Sequence, residues 1–298
     1  RLRRHCGSVA GSQVVHDQLL RLGRPWHQCH QHQRDADDSG FRRRRQLERQ
    51  VRKMAWLFSG ESKMNWAYVA GFFDAEGSFK WNGSKSNYLG IVMYQSSPSS
   101  FVLDRMKEFL ESEGIVCYVN FADKRNKGTW SLNIAKGQSV RVFMRSVGGK
   151  LILKRSQYER ICLEIGMAPL AMTKPSWAYV AGVFDGEGCL RQRNGRTFHL
   201  AIDQSSPERC GQLRFLADFL TSKGIAAINE QYDCPSQKKA MVTVNRQRSI
   251  LTMLKRMRPY LHVKANQADE ACAVILDRAA KAKRGELHHI SALAYERM

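Results

Sequence analysis

The sequence predicts an α+β protein built from two tandem, pseudo-symmetric αββαββα domains, each with a four-stranded antiparallel sheet. Two segments of the chain, Asn65–Phe79 and Ser176–Leu190, read NWAYVAGFFDAEGSF and SWAYVAGVFDGEGCL. Further matched blocks follow both segments in the same order, so the chain contains two copies of one domain rather than a solenoid. Within each copy, hydrophobic residues at helical spacing give way to alternating patterns and then return to helical spacing.

The elements of the first copy follow from these patterns. Apolar spacing predicts a helix over Trp66–Glu76, which Gly77 ends. A helix starting at Pro98 is expected to run to about Glu113. Two hairpins flank it, and two helices complete the domain. The hairpins are predicted at Phe79–Trp81 with Leu89–Tyr94 and at Ile115–Phe121 with Thr129–Ile134, and the last helices near Gln138–Arg145 and Leu151–Ile165.

The repeats also set the domain boundaries. We predict a first domain over 61–170, a linker over 171–175 and a second domain over 176–284, followed by a tail over 285–298. Residues 1–60 are rich in Arg and His and poor in aliphatic periodicity, which indicates a loosely ordered basic extension. The His and Cys residues within 26–32 match no common zinc-finger spacing.

Charge indicates the class of partner. The 298 residues include 48 Lys+Arg against 27 Asp+Glu, a net charge of +21, which favours nucleic acid. No apolar run approaches the ~18 residues of a membrane span, so no membrane partner is expected. The eight cysteines have no paired spacing, which favours reduced thiols and an intracellular protein, in an organelle or in a prokaryotic cytoplasm.

The repeated helix has features of a metal-binding pair. Gly71 and Gly182 leave one face of each helix with little side chain, so the two helices can approach closely. Glu76 and Glu187 end the helices, where a carboxylate opposes the helix dipole unless a cation compensates. If the helices pack in parallel, these two carboxylates converge.

The convergent carboxylates would form a hard oxygen site. The backbone carbonyls of Ala75 and Gly186 would join Glu76 and Glu187, and such a site suits Mg²⁺. Asp74 and Asp185, two residues earlier, fit a structural role near the helix ends as well as a direct one.

Val69–Gly77 (VAGFFDAEG) and Val180–Gly188 (VAGVFDGEG) resemble the LAGLIDADG motif of homing endonucleases. The resemblance covers roughly 65–280 and includes the order of the downstream elements. It implies a monomeric site-specific DNA endonuclease that packs its motif helices at a pseudo-two-fold axis. The acidic residues at Glu76 and Glu187 would bind Mg²⁺, with Mn²⁺ or Ca²⁺ able to substitute for binding.

The resemblance also implies further catalytic residues. A polar residue near the end of the second strand, here Gln95 and Gln204, would order water. A basic residue opening the last helix, here Lys154 and Lys264, would balance charge on the phosphate. The first copy departs from the family pattern before Lys154, so Lys150 is an alternative there.

The two sheets would form a saddle over the major groove of double-stranded DNA, with alternate side chains turned to the bases. The target would not be a perfect palindrome, because the two copies differ at these positions. The candidate contacts are Lys80, Asn82, Lys85, Asn87, Lys124, Arg125, Lys127 and Asn133 in the first copy, and Arg191, Arg193, Arg196, Lys238, Lys239 and Asn245 in the second.

Two other functions use the same fold. An intron RNA maturase would bind intron RNA and assist splicing without using the carboxylates. A DNA-binding regulator would bind tightly without cutting. Retention of both Glu76 and Glu187 argues against a pure maturase, because binding alone gives no reason to keep two acids facing a phosphate.

Overall fold

The structure, a computed structural model, describes residues 62–82, 88–123, 128–193, 197–205, 211–234 and 237–284. The predicted basic extension and C-terminal tail lie outside these residues. The first copy contains α1 (Trp66–Glu76), β1 (Gly77–Asn82), β2 (Tyr88–Ser96), α2 (Phe101–Ser112), β3 (Tyr118–Asp123), β4 (Thr129–Ile134), α3 (Gly137–Gly148) and α4 (Arg155–Glu164). The second contains α5 (Trp177–Glu187), β5 (Gly188–Arg193), β6 (Thr197–Gln204), α6 (Leu213–Ser222), β7 (Ala227–Cys234), β8 (Gln237–Val244), α7 (Gln247–Met257) and α8 (Ala265–Lys283).

Each copy folds its strands into one antiparallel sheet of four. The strand orders are β1-β2-β4-β3 and β5-β6-β8-β7, so the two sheets have the same topology. The α+β class and the tandem four-stranded sheets predicted from the sequence are therefore confirmed. Phe79, Ile91 and Ile134 lie side by side on the face that carries the core, and Asn133 belongs to the opposite face.

The two motif helices begin and end where the sequence predicts. The Asn65 side chain accepts hydrogen bonds from the backbone N–H groups of Ala67 and Tyr68, and Ser176 caps α5 by accepting from Tyr179. Both helices end at a glycine, after which the chain turns directly into β1 or β5. Each helix is buried over most of its length, which is why its pattern is apolar on all sides.

The motif helices α1 and α5 pack against each other through glycine. A Cβ placed on Gly71 would lie 2.0 Å from the carbonyl oxygen of Tyr179, and one on Gly182 would lie 2.2 Å from that of Tyr68. The two backbones are therefore in direct contact at the pseudo-symmetry axis. This close approach fixes the distance between the C-terminal ends of α1 and α5.

Two predicted helices begin later than the sequence suggested. The helix expected from Pro98 is α2, which starts at Phe101 after a 3₁₀ turn over Ser97–Ser99. The last helix of the first copy was expected from Leu151, but α4 starts at Arg155. The backbone N–H groups of Ile152, Leu153 and Lys154 instead donate to the carboxylate of Asp74. The carboxylate of a distant residue thus satisfies the N–H groups that precede this helix.

The segment that leads into each motif helix lies on the other domain. Ser62 donates to the carbonyl of Leu261, and the Lys63 N–H donates to that of Pro259. In the matching place, the hydroxyl and the N–H of Thr173 both donate to the carbonyl of Gly149. These reciprocal contacts hold the two domains together at the N-terminal ends of the motif helices.

Candidate active site

The C-terminal ends of α1 and α5 bring Glu76 and Glu187 together. A Cβ placed on Gly186 would lie 3.0 Å from Cγ of Glu76 and 3.6 Å from its Oε1. The side chain of Glu76 therefore lies against the residue that precedes Glu187. Both glutamates are half-buried, and both act electrostatically on the ammonium group of Lys264. The predicted convergence is thus present in the structure.

Asp74 and Asp185, in contrast, are buried structural acceptors. Asp74 is fully buried and accepts the phenol hydroxyl of Tyr179 at 2.7 Å, besides the three backbone N–H groups that precede α4. Asp185 accepts from the N–H groups of the three residues before α8, at 2.7–3.0 Å. It also accepts the hydroxyl of Tyr68 at 2.8 Å. The structural role that the sequence left open is the one these contacts support.

Each carboxylate is thus bonded to a tyrosine from the other domain. Burial, and then the nearby carboxylate of Asp185, raise the pKa of Tyr68 well above its ordinary value. Burial and Asp74 do the same for Tyr179. Burial raises the pKa of Asp185, and its hydrogen bonds oppose that rise. Both phenols therefore stay protonated and donate across the domain interface.

Lys154 and Lys264 compensate the helix C-termini. Lys154 is 1% exposed, and its Nζ donates to the carbonyl of Phe73 at 2.9 Å and to that of Asp74. Lys264 donates to the carbonyls of Phe184, Asp185 and Gly186, the last at 3.4 Å. The ammonium groups of the two lysines therefore provide part of the positive charge that stabilises the helix C-termini. Burial lowers the pKa of Lys264, and neighbouring carboxylates oppose that fall.

Lys150, the alternative to Lys154, lies at the other end of the motif helices. Its Nζ donates to the carbonyl of Ser146, and the residue lines a cavity formed by the N-terminal ends of α1 and α5. This alternative is wrong, because the conformation before α4 turns Lys154 towards the helix C-terminus instead. The departure of the first copy from the family pattern left that choice open in the sequence.

Gln95 and Gln204 lie at the ends of β2 and β6 and are both buried. Gln95 is two residues beyond Met93, which pairs with Gly77, the residue next to Glu76. Its Oε1 accepts the N–H of Ser96 at 2.9 Å. The two glutamines are therefore close to the motif-helix ends in the sheet, but on the core-facing side of their strands.

The described basic candidates lie on the side of each sheet that faces away from the core. Lys80, Arg191, Arg193 and Lys239 are exposed, and Asn133 is half-buried. Asn245 is exposed but follows the end of β8. The other candidates fall outside the described residues or have side chains outside them, namely Asn82, Lys85, Asn87, Lys124, Arg125, Lys127, Arg196 and Lys238.

Sequence reasoning missed Tyr68, Tyr179 and His262. The two tyrosines occupy the same position in both repeats, and this recurrence could have marked them as structurally important. Their hydrogen-bond partners, however, lie 117 and 105 residues away in the sequence. His262 is buried, with its Nδ1 3.1 Å from the guanidinium of Arg105 and its ring edge-on to Tyr68. Burial and then Arg105 lower the pKa of His262 to about 4, so the ring is neutral at pH 7.

Residues 64–148 match the family model described as a LAGLIDADG-like domain. The first repeat is a LAGLIDADG-like domain. The match covers the first of the two motifs from which the family resemblance was predicted. The second repeat shares the motif, the strand order and the Asp–Tyr and Lys–carbonyl contacts of this LAGLIDADG-like domain. No significant match was found among curated protein sequences.

Solved structures of LAGLIDADG proteins share the fold of both repeats. The LAGLIDADG homing endonuclease I-GzeII in complex with its DNA target aligns with a TM-score of 0.52 and 12% identity, over 79% of this chain and 98% of that chain. The LAGLIDADG meganuclease I-AabMI bound to uncleaved DNA gives 0.54 and 12%, over 78% and 97%. The meganuclease I-SmaMI bound to DNA gives 0.54 and 16%, over 78% and 98%. Among the described residues, no helix is both long and apolar enough to cross a bilayer.

Proposed function

We propose that this chain is a site-specific DNA endonuclease that acts as a monomer on one long, pseudo-palindromic duplex target. It hydrolyses one phosphodiester in each strand, leaves cohesive ends and depends on a divalent metal, Mg²⁺. The observation that carries the proposal is the convergence of Glu76 and Glu187 at the ends of two helices in direct backbone contact. Two similar half-sites on one chain suit a substrate with two antiparallel strands.

The donor atoms at this place fit Mg²⁺. Glu76 and Glu187 supply carboxylate oxygens, and the carbonyls of Ala75 and Gly186, the residues just before them, lie at the same helix ends. No cluster of three or more His, Cys, Asp or Glu side chains occurs within the described part of the chain. The metal would therefore be held by the two acids together with backbone oxygens, water and the phosphate itself. When bound, the metal supplies an acidified water and neutralises charge on the phosphate.

The other residues position this pair. Asp74 and Asp185 hold the segments before α4 and α8 against the motif helices, and so place Lys154 and Lys264 on the helix carbonyls. The lysines compensate the helix dipole beside the glutamates, which keeps two acids at a helix C-terminus tolerable. In this proposal, Gln95 and Gln204 order water at the edge of the site.

The outward faces of the two sheets, with their exposed basic residues, would bind the duplex. The net charge of +21 provides long-range attraction, and antiparallel strands fit the major groove. Each of the structures compared above is a complex with DNA. The target-facing role of Lys80, Arg191, Arg193 and Lys239 rests on their exposure on the side of the sheets opposite the core.

The test is selection of cleaved molecules from a randomised DNA library with Mg²⁺, followed by sequencing of the ends. Glu76→Gln and Glu187→Gln, alone and together, are then compared on the selected target. Each single variant is expected to bind normally and to fail in cutting at least one strand. Glu108→Gln removes an exposed acid on α2 and is the matched control. Double-strand cleavage by the double variant would rule the proposal out.

A maturase is distinguished by its substrate. It would restore splicing of a cognate intron RNA, and the two Glu→Gln changes would leave that activity intact. An endonuclease would produce cleaved DNA ends in the selection only when the metal is present, whether or not it also binds RNA. A DNA-binding regulator would enrich a bound DNA sequence without producing cleaved ends.

A further inference from the structure

The outward faces of the two sheets differ in chemistry, although their frameworks are the same. The first outward face is defined here by Tyr94, Asn133 and Tyr118 together with Lys80, and the second by Arg191, Arg193, Asp203 and Glu230. The strand registers place the members of each face on the side opposite the core. The two sheets share one strand order, so side chains at matching outward positions can be compared directly.

The second outward face carries both signs of charge. Arg191 and Arg193 are exposed at successive outward positions of β5. Asp203 is exposed on β6 and pairs with Met241, which also pairs with Glu230 on β7. Two carboxylates turned towards a polyanion weaken non-specific binding, so their presence there favours a specific contact. In a major groove, cytosine and adenine both present an amino donor, and the contact typical of Asp or Glu is with N4 of cytosine.

The arginines on this face are arranged for guanine. Nε of Arg191 donates to the sulfur of Cys189 at 3.0 Å, which steadies the guanidinium along the strand. The remaining fork of N–H groups matches the two acceptors of guanine. Alternate strand residues are about 7 Å apart, so Arg191 and Arg193 would meet base pairs about two steps apart.

The first outward face is neutral over most of its described area. Asn133 lies between Val92 on β2 and Tyr118 on β3, and its Nδ2 donates to the hydroxyl of Ser131 at 2.9 Å. An oriented amide flanked by apolar surface suits adenine and the methyl group of thymine. The Lys80 ammonium lies 5.8 Å from the centre of the Tyr94 ring, which draws this cation against the sheet.

We propose that the two halves of the target differ in base composition: the second outward face reads guanine and cytosine through Arg191, Arg193 and Asp203, and the first reads adenine and thymine around Asn133. The inference rests on the proposed DNA substrate, and it adds which domain specifies which kind of half-site. Each well-made contact would give about 10- to 100-fold discrimination at its own position.

The experiment is a binding selection with the full chain and a randomised duplex library in the absence of cleavage, repeated with single variants. The expected result is one half-site with guanines about two base pairs apart, the spacing that the strand geometry gives. Arg191→Ala and Arg193→Ala should each flatten the preference at one position. Asp203→Asn should flatten a cytosine preference, and Asn133→Ala an A·T preference in the other half.

Arg256→Ala is the matched control, because Arg256 is exposed on α7 and its loss lowers the net charge by the same amount. It should leave every base preference unchanged. If the arginine variants weaken binding to all sequences equally, the residues contact phosphate only and the inference is overturned. Binding with the expected preferences but without cutting would refute the endonuclease and leave the half-site assignment standing.

Discussion

Substitution of Gly182 by alanine tests the claim that backbone contact between α1 and α5 sets the geometry of the site. The added Cβ would lie 2.2 Å from the Tyr68 carbonyl oxygen and 2.7 Å from the backbone nitrogen of Phe72. An ordinary van der Waals separation would require the two helices to move apart by about 1 Å. Both obstacles are backbone atoms, so no side-chain rotation can relieve them.

The expected loss of stability follows from two opposing terms. Overpacking of this kind costs about 1–3 kcal/mol or more, and the helices also lose contacts along their length. Replacing glycine by alanine in a helix returns about 1 kcal/mol. The free energy of unfolding should therefore fall by about 2 kcal/mol, or about 4–8 °C in melting temperature for a chain of this size. Gly71→Ala should behave alike, since its Cβ would lie 2.0 Å from the Tyr179 carbonyl.

The assay is denaturant unfolding followed by far-UV circular dichroism, with Gly137→Ala as the control. Gly137 opens α3, and nothing lies within 4 Å of the Cβ that alanine would add there. The double variant Gly71→Ala, Gly182→Ala should lose less than the sum of the single losses, because helices already moved apart accommodate the second methyl. If Gly182→Ala unfolds at the same denaturant concentration as the control, the helix contact does not set the spacing.

Three further predictions concern the contacts around the site. The native state keeps His262 neutral by burial and by Arg105, with a pKa of about 4 against an ordinary 6.5. The free energy of unfolding should therefore fall by about 2–3 kcal/mol as the pH drops from 6.5 to about 4. The variant His262→Ile should remove this dependence, which thermal melts at a series of pH values would measure. Tyr179→Phe should cost about 1–2 kcal/mol in urea unfolding, because Asp74 loses one of its four donors; an unchanged midpoint would show that the bond is dispensable. Lys154→Met should cost about 2–4 kcal/mol, because buried helix carbonyls lose their cation; loss of cutting with unchanged stability would indicate a direct catalytic role instead.

Much of the fold could be predicted because its signals are local. The helix Trp66–Glu76 has a capping residue, apolar spacing and a terminating glycine within a dozen positions, and its predicted bounds match those of α1. The strands follow the alternation of hydrophobic residues, with ends displaced by a few positions. The repeat supported each assignment a second time, because an element predicted in one copy was also expected in the other.

What escaped prediction depends on contacts between distant parts of the chain. The carboxylate of Asp74 draws on three N–H groups 78–80 residues away, which neither propensity nor spacing reveals. For the same reason the direction of the Lys154 side chain could not be foreseen. A basic residue before a helix appears solvent-exposed in sequence, whereas here its ammonium group is buried against the end of another helix.

The crossed Asp–Tyr contacts link the stability of the interface to the position of the glutamates. Tyr68 of α1 bonds Asp185 of α5, and Tyr179 of α5 bonds Asp74 of α1, so neither helix can slide without breaking both bonds. Each aspartate lies two residues before a glutamate of the site. Because displacement of reacting groups by about 1 Å can cost about 100-fold in rate, these bonds would serve the proposed cleavage of two strands. The buried aspartates therefore contribute to the proposed cleavage by fixing the distance between Glu76 and Glu187, without touching the phosphate.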